Sequence, residues 1–230
     1  MRSKMTPMTF RNRAHAARSL VDRLAEYRGQ RPLVLAIPRG AVPMAAIIAD
    51  ALGGDVDVVL VRKLGAPGQP ELAIGAVDEM GRVSLVHTAR DLGISEAYIE
   101  REVAAQLKVI RARRSLYTPV HPPIDPAGRV AIVVDDGIAT GATMLSALAA
   151  VRERKPATLV AAIGVAPADV VWRVQDLADR VACLVTPEVM FAVGEFYRDF
   201  PSVSDEEVVE ILKQHRAPAK ADVPSMGSQP

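Results

Sequence analysis

Val130-Ala131-Ile132-Val133-Val134-Asp135-Asp136-Gly137-Ile138-Ala139-Thr140-Gly141-Ala142-Thr143 decides how this chain is read. Its first five residues are aliphatic and mostly β-branched, as a strand buried on both faces requires. Two carboxylates follow, then a run of small residues and hydroxyls, then a helical pattern through Val151. In an open α/β sheet a strand ending in acids places them at the carboxyl edge, where such folds bind ligands. The loop Ala139 to Thr143 opens the helix, so unpaired backbone N–H groups and the positive end of the helix dipole face the same edge. Gly141 lets the main chain approach an anion closely, and Thr140 and Thr143 add hydroxyl donors. One end of the segment suits a phosphate and the other suits hydroxyl groups. A phosphorylated sugar carries both.

Reading outward, Phe10 to Arg28 predicts an amphipathic helix with Ala14, Ala17, Leu20, Val21 and Leu24 on one face. Leu33 to Ile37 predicts a strand broken by Pro38-Arg39-Gly40, Val42 to Leu52 a helix, and Val56 to Val61 a second strand. Strand, helix and strand in that order make a parallel βαβ unit. Gly65, Pro67, Gly68 and Pro70 predict a loop from Arg62 to Leu72. Ala73 to Val77 and Val83 to Val86 predict short strands around the turn Asp78-Glu79-Met80-Gly81. Ser95 caps a long helix whose apolar stripe is Ile99, Val103, Leu107 and Ile110. Arg111, Arg113 and Arg114 near its end complement its dipole. Downstream, strands Leu159 to Val165 and Val181 to Val185 flank a helix near Ala168 to Leu177. Ser204-Asp205-Glu206-Glu207 is a capping box opening a last helix to about Gln214. The expected fold is α/β, with a mainly parallel central sheet, helices on both faces and a small hood subdomain. One domain is expected over 1–215, and 216–230, with small polar residues and prolines, reads as a flexible tail.

Composition narrows the classes. With 28 Lys+Arg against 27 Asp+Glu the formal charge is +1, which disfavours a protein built to coat nucleic acid. Cys183 stands alone, and His15, His87, His121 and His215 show no metal-ligand spacing, so no metal held by the protein alone is expected. The start lacks the apolar stretch of a leader. The longest nearly apolar run, Ala157 to Ala166, falls short of the ~20 residues that span a bilayer. A cytoplasmic protein without membrane or nucleic-acid partners is the expectation.

There is no G-x-x-x-x-G-K-[ST] and no G-x-G-x-x-G, which disfavours a P-loop or dinucleotide site. Ile132 to Thr143 instead resembles the signature of type I phosphoribosyltransferases. That resemblance implies 5-phosphoribosyl-1-pyrophosphate as substrate, with Asp135 and Asp136 on the ribose hydroxyls. It places the 5′-phosphate on Ala139, Thr140, Gly141, Ala142 and Thr143. Ile37-Pro38-Arg39-Gly40 resembles the family's pyrophosphate loop, which sets Arg39 and Gly40 against the diphosphate. Arg62-Lys63, ahead of Gly65-Ala66-Pro67-Gly68, resembles the start of the mobile catalytic loop.

By motif the resemblance runs nearest to the adenine branch, where a Glu beyond that loop is assigned to proton transfer; Glu79 falls at the matching place. Ala139 stands where the 6-oxopurine branch carries an acid. The implied catalytic residues are thus Lys63, Arg62 and Glu79, with Mg²⁺ carried by the substrate near Asp135 and Asp136. The implied reaction is transfer to a nitrogen acceptor, a nucleobase in purine-salvage fashion, with release of diphosphate. A homodimer is expected. A hood near 187–200, to which the N-terminal helix contributes, is the expected base site. Phe191, Phe196, Tyr197 and Phe200 cluster there in a chain with only 4% aromatics, offering ring faces to a planar base. The alternative for these rings is packing of the C-terminal helix or a dimer contact. The alternative for the whole chain is a sensor that binds the sugar diphosphate or a nucleotide without turning it over. The resemblance covers about 33–186 but matches poorly over 84–129, so the helix after Ser95 has no assigned role.

Overall fold

The structure, a computed structural model, describes residues 10–85 and 93–215; the start of the chain, Val86, His87 and the expected tail 216–230 lie outside the described residues. The chain runs α1 (Arg13–Arg23), β1 (Leu33–Ala36), α2 (Val42–Leu52), β2 (Asp55–Val58), β3 (Val61–Ala66), β4 (Gln69–Asp78) and β5 (Val83–Leu85). It continues through α3 (Glu96–Tyr117), β6 (Val130–Asp135), α4 (Ala142–Arg152), β7 (Thr158–Val165), α5 (Ala168–Gln175), β8 (Arg180–Val185) and α6 (Asp205–Gln214).

Strand alternation explains the layering. Val34, Ala36, Ile132, Val134, Val160 and Ala162 point into one core with α1, α2, α3 and α6. Leu33, Leu35, Ala131, Val133, Leu159, Ala161 and Ile163 point into the other with α4 and α5. Side chains of period two on a sheet covered by helices must be apolar on both faces, and these strands are. The five strands lie in the order β2-β1-β6-β7-β8, all parallel. The expected α/β class, with its parallel sheet between helical layers, is what the chain forms.

Local chemistry fixes the helix starts. Ser95 accepts from the Tyr98 N–H, and Ser204 and Glu207 close a reciprocal capping box at α6. Ile99, Val103 and Leu107 pack on the core as their spacing predicts. The first helix is shorter than its apolar pattern. The Asn12 side chain caps it by accepting from the His15 N–H, and Leu24 ends it ahead of a 3-10 turn. Phe10 and Arg11 leave the helix and bond instead to the backbone of 196–199: Phe10 N–H donates to Phe196 O, Arg198 N–H to Phe10 O and Asp199 N–H to Arg11 O.

The largest correction falls on Arg62 to Leu72. Most of it is strand: β3 and β4 pair antiparallel, and β5 adds to β4, making a separate three-stranded sheet. Pro67 and Gly68 form the two-residue turn between the paired Ala66 and Gln69. A register shift around Gly65 absorbs that glycine as an irregularity in the ladder. Buried Leu64, Ala66, Ile74 and Val77 reward the pairing, so the turn residues mark its corner instead of forbidding structure. The second sheet, with α3 packed on it, makes the smaller subdomain, and its Leu64, Ile74 and Val77 join Ile110 in the core that covers one face of the parallel sheet.

Candidate active site

Asp135 ends β6 and Asp136 follows it. β1 pairs with β6 from Leu33 opposite Ala131 to Ala36 opposite Val134, so the turns leaving these strands are neighbours. In the turn after β1 the Pro38–Arg39 peptide is cis, and the N–H groups of Arg39, Gly40 and Ala41 have no acceptor among the described residues. In the turn after β6 the same holds for the N–H groups from Ala139 to Met144. Gly141 caps α4 with a left-handed φ of 79°, no side chain caps the helix, and its first turn holds no acid. Two sets of open donors therefore flank a carboxylate pair. They border one cleft of about 810 Å³, lined by Arg39, Gly40, Asp135, Asp136, Thr140, Ala142 and Thr143. Ala139 and Gly141 shape the loop without lining the cleft.

Asp136 is the fixed point of the site. Its Oδ2 accepts from Arg13 Nε at 2.7 Å, and its carbonyl accepts from the Tyr197 hydroxyl at 2.6 Å. The Arg13 guanidinium also donates to Pro201 O at 2.6 Å and lies 3.7 Å from the centroid of the Phe200 ring. A Cβ on Gly40 would run into the Asp136 carboxylate, so only glycine lets the first turn close over it.

Asp135 differs from its neighbour. Burial, and secondly the Asp136 carboxylate, push its carboxyl well above the ordinary 3.8. An acid whose folded value is raised holds a proton that the unfolded chain has released, so stability falls as pH rises between the two values. Asp135→Asn removes that penalty. The variant is expected to melt above the parent at pH 7, with the gap closing towards pH 4, as thermal melts across that range would show. An equal gap at both ends of the range would contradict it.

The cations expected at the site line the cleft, with partners that local sequence did not indicate. Arg39 reaches Asp205 at 3.3 Å. Asp205, at the first turn of α6, also pairs with Arg113 at 3.5 Å and accepts from the Tyr117 hydroxyl at 2.7 Å. Arg62 Nε donates to Gln106 Oε1 at 2.9 Å, and Lys63 borders the cleft beside it. Glu79 is elsewhere. It accepts from Arg114 Nε at 2.8 Å and lines grooves on the other side of α3, because a buried guanidinium between Glu79 and Asp57 requires balancing charge.

The aromatic cluster also resolves differently from a stacking platform. Phe196 is fully buried, Tyr197 is 3% exposed with its hydroxyl on Asp136, and Phe191 is 85% exposed but does not line the cleft. Tyr197 stacks on Phe200 at 4.6 Å and packs against Phe10, which ties the 196–200 segment to the start of α1. Burial of apolar rings against each other outweighs leaving them free in water.

The Phosphoribosyl transferase domain profile matches residues 7–199. The chain belongs to the phosphoribosyl transferase family. It is 40% identical over 223 residues to "Putative phosphoribosyl transferase Rv0571c" of Mycobacterium tuberculosis strain H37Rv, covering 96% of this chain and 50% of that protein. The same figures hold for "Putative phosphoribosyl transferase MT0597" of strain CDC 1551. The chain thus spans about half the length of the curated relatives it matches. A crystal structure of TT1426 from Thermus thermophilus shares 43% identity at a TM-score of 0.82, covering 91% of this chain and all of that one.

Two parts of the cleft lay beyond sequence reading. Arg13, 123 residues from Asp136, carried no motif. Helix α3, whose cleft-facing residues are Glu102, Gln106, Val109, Ile110 and Arg113, lies in the stretch where the motif resemblance is poor. Their spacing of 4, 3, 1 and 3 puts them on one helical face, which was the available signal.

Proposed function

We propose that this phosphoribosyl transferase family member binds 5-phosphoribosyl-1-pyrophosphate and transfers its phosphoribosyl group to a nitrogen nucleophile, releasing diphosphate. The observation that carries the reading is the pair of open amide turns on either side of Asp135 and Asp136 in one cleft. A ligand with an anion at each end and hydroxyls between them matches that order of donors and acceptors. The amides of Ala139 to Thr143 and the Thr140 and Thr143 hydroxyls would hold the 5′-phosphate. Asp136, oriented by Arg13, would accept from a ribose hydroxyl beside Asp135.

The diphosphate would meet the amides of Arg39 to Ala41, with the Arg39 and Lys63 side chains. The nucleophile's lone pair forms the new bond to C1 as the C1–O bond breaks and its electron pair leaves with diphosphate. Positive charge grows on the ring and negative charge on the leaving group, so prepositioned cations and amides lower the barrier. The described residues hold no cluster of three His, Cys, Asp or Glu. Two carboxylates at a strand end, one already bonded to Arg13, fit a divalent ion that draws most of its ligands from substrate oxygens. Mg²⁺ bound in that way would neutralise part of the diphosphate charge. No described helix is long and apolar enough to cross a membrane, and a cytoplasmic, dimeric protein remains our reading.

Titration calorimetry of the protein with the sugar diphosphate and Mg²⁺ tests the proposal. Saturable binding with Kd below about 100 μM is expected, equivalent to more than about 5 kcal/mol. Absence of heat at millimolar ligand would refute it. Binding without diphosphate release for any nitrogen compound would favour the sensor.

A further inference from the structure

Gln106 on α3 joins two charged groups that border the cleft. Its Oε1 accepts from Arg62 Nε at 2.9 Å, which fixes the amide orientation, and its Nε2 donates to Glu102 Oε1 at 2.9 Å. Glu102 and Gln106 lie one helical turn apart on the same face. The chain of bonds holds the Glu102 carboxylate still by one oxygen. The other, Oε2, has no donor among the described residues. A fixed carboxylate with an open oxygen, in the cleft that also holds Asp135 and Asp136, is placed to receive an N–H proton.

The same wall presents the aliphatic Val109 and Ile110 but no aromatic ring on which a planar base could stack. Phe200 is the one aromatic side chain lining the cleft among the described residues. Its ring already stacks on Tyr197 and carries the Arg13 guanidinium. Hydrogen bonding on this side falls to Glu102 as acceptor and to Gln106 and the terminal nitrogens of Arg62.

We propose that Glu102, positioned by Gln106 and Arg62, is the base that takes the proton of the attacking nitrogen, and that the nucleophile is a small non-aromatic amine or amide. The inference rests on the phosphoribosyl transfer proposed above. The neutral nitrogen's lone pair forms the bond to C1, the C1–O pair departs with diphosphate, and the nitrogen's proton passes to Glu102 Oε2. Glu79, bound to Arg114 away from the cleft, takes no part in this step.

The test is a diphosphate-release assay with the sugar diphosphate, Mg²⁺ and a panel of ammonium, glutamine and glycinamide set against adenine, hypoxanthine and orotate. Release is expected with at least one amine or amide and at background with the aromatic bases. With that nucleophile, Glu102→Gln is expected to lower kcat about 100-fold, the usual scale of general-base catalysis. Its Tm and its calorimetric Kd for the sugar diphosphate should match the parent. Gln106→Ala, which loosens Glu102 without removing it, should lower kcat about tenfold, and Gln106→Glu should not restore it because Arg62 would then claim the new carboxylate. Release with no amine or amide, a higher kcat/KM for an aromatic base, or full kcat in Glu102→Gln overturns the proposal. Failure of the parent protein to bind the sugar diphosphate sinks the underlying transfer reading instead, and calorimetry reports that separately.

Discussion

Asp136→Asn is expected to weaken binding of 5-phosphoribosyl-1-pyrophosphate by about 10–100-fold, because a charge-assisted hydrogen bond to a ribose hydroxyl is worth about 1.5–3 kcal/mol. Asparagine preserves the shape of the side chain, so packing around it changes little. What changes is the charge. Arg13 Nε sits 2.7 Å from the carboxylate, with both side chains only 12% exposed, and the amide cannot balance its guanidinium. Removing one partner of such a pair destabilises by about 3–5 kcal/mol when nothing replaces it. Here the Asn oxygen still accepts one hydrogen bond, so a loss of about 2 kcal/mol is expected, seen as a drop in Tm of roughly 4–8 °C for a chain of this size. Calorimetry and a thermal melt on the same preparation separate the two effects. An unchanged Kd would remove Asp136 from the ribose site, and an unchanged Tm would mean that the Arg13 pair contributes nothing to the fold.

Lys63→Ala should act on rate more than on affinity. Lys63 comes from the antiparallel sheet, whereas the amides proposed for the diphosphate belong to the turn after β1. Those amides remain in the variant and continue to hold the ground state. Charge on the leaving group increases as the C1–O bond breaks, so a cation there matters most in the transition state. Loss of one such donor typically lowers kcat by about 100-fold. The Kd for the sugar diphosphate is expected to stay within about threefold of the parent, under 1 kcal/mol. Single-turnover kinetics beside calorimetry would decide. A Kd that rises in step with the fall in kcat would make Lys63 a simple anchor rather than a stabiliser of the transition state.

Much of the fold is legible in the chain because its causes are local. The strand Val130 to Val134 is apolar at every position, and burial on both faces follows from that alone. Ser95 and Ser204 announce helix starts because their hydroxyls reach N–H groups three residues on. The hairpin from Val61 to Asp78 was not legible. Its glycines and prolines read as punctuation, and only pairing across the ladder turns them into a corner and an irregularity. Glu79 shows the limit for site residues. Its position in the sequence matches a family acid, yet Arg114 from α3 holds it outside the cleft.

The sequence by itself determined the parallel sheet, the carboxylate pair at its edge and the amide-rich turn that opens α4. Each follows from the covalent order of neighbouring residues and the direction in which a short backbone segment points its N–H groups. Tertiary structure alone decided the rest: that Arg13 closes on Asp136, that Phe196 and Tyr197 are consumed by packing, and that α3 walls the cleft with Glu102 and Gln106. The partner of a long charged side chain, or the fate of an apolar ring, depends on which surfaces folding brings within a few ångströms. That distance is set by the whole chain, and no stretch of it carries the information alone.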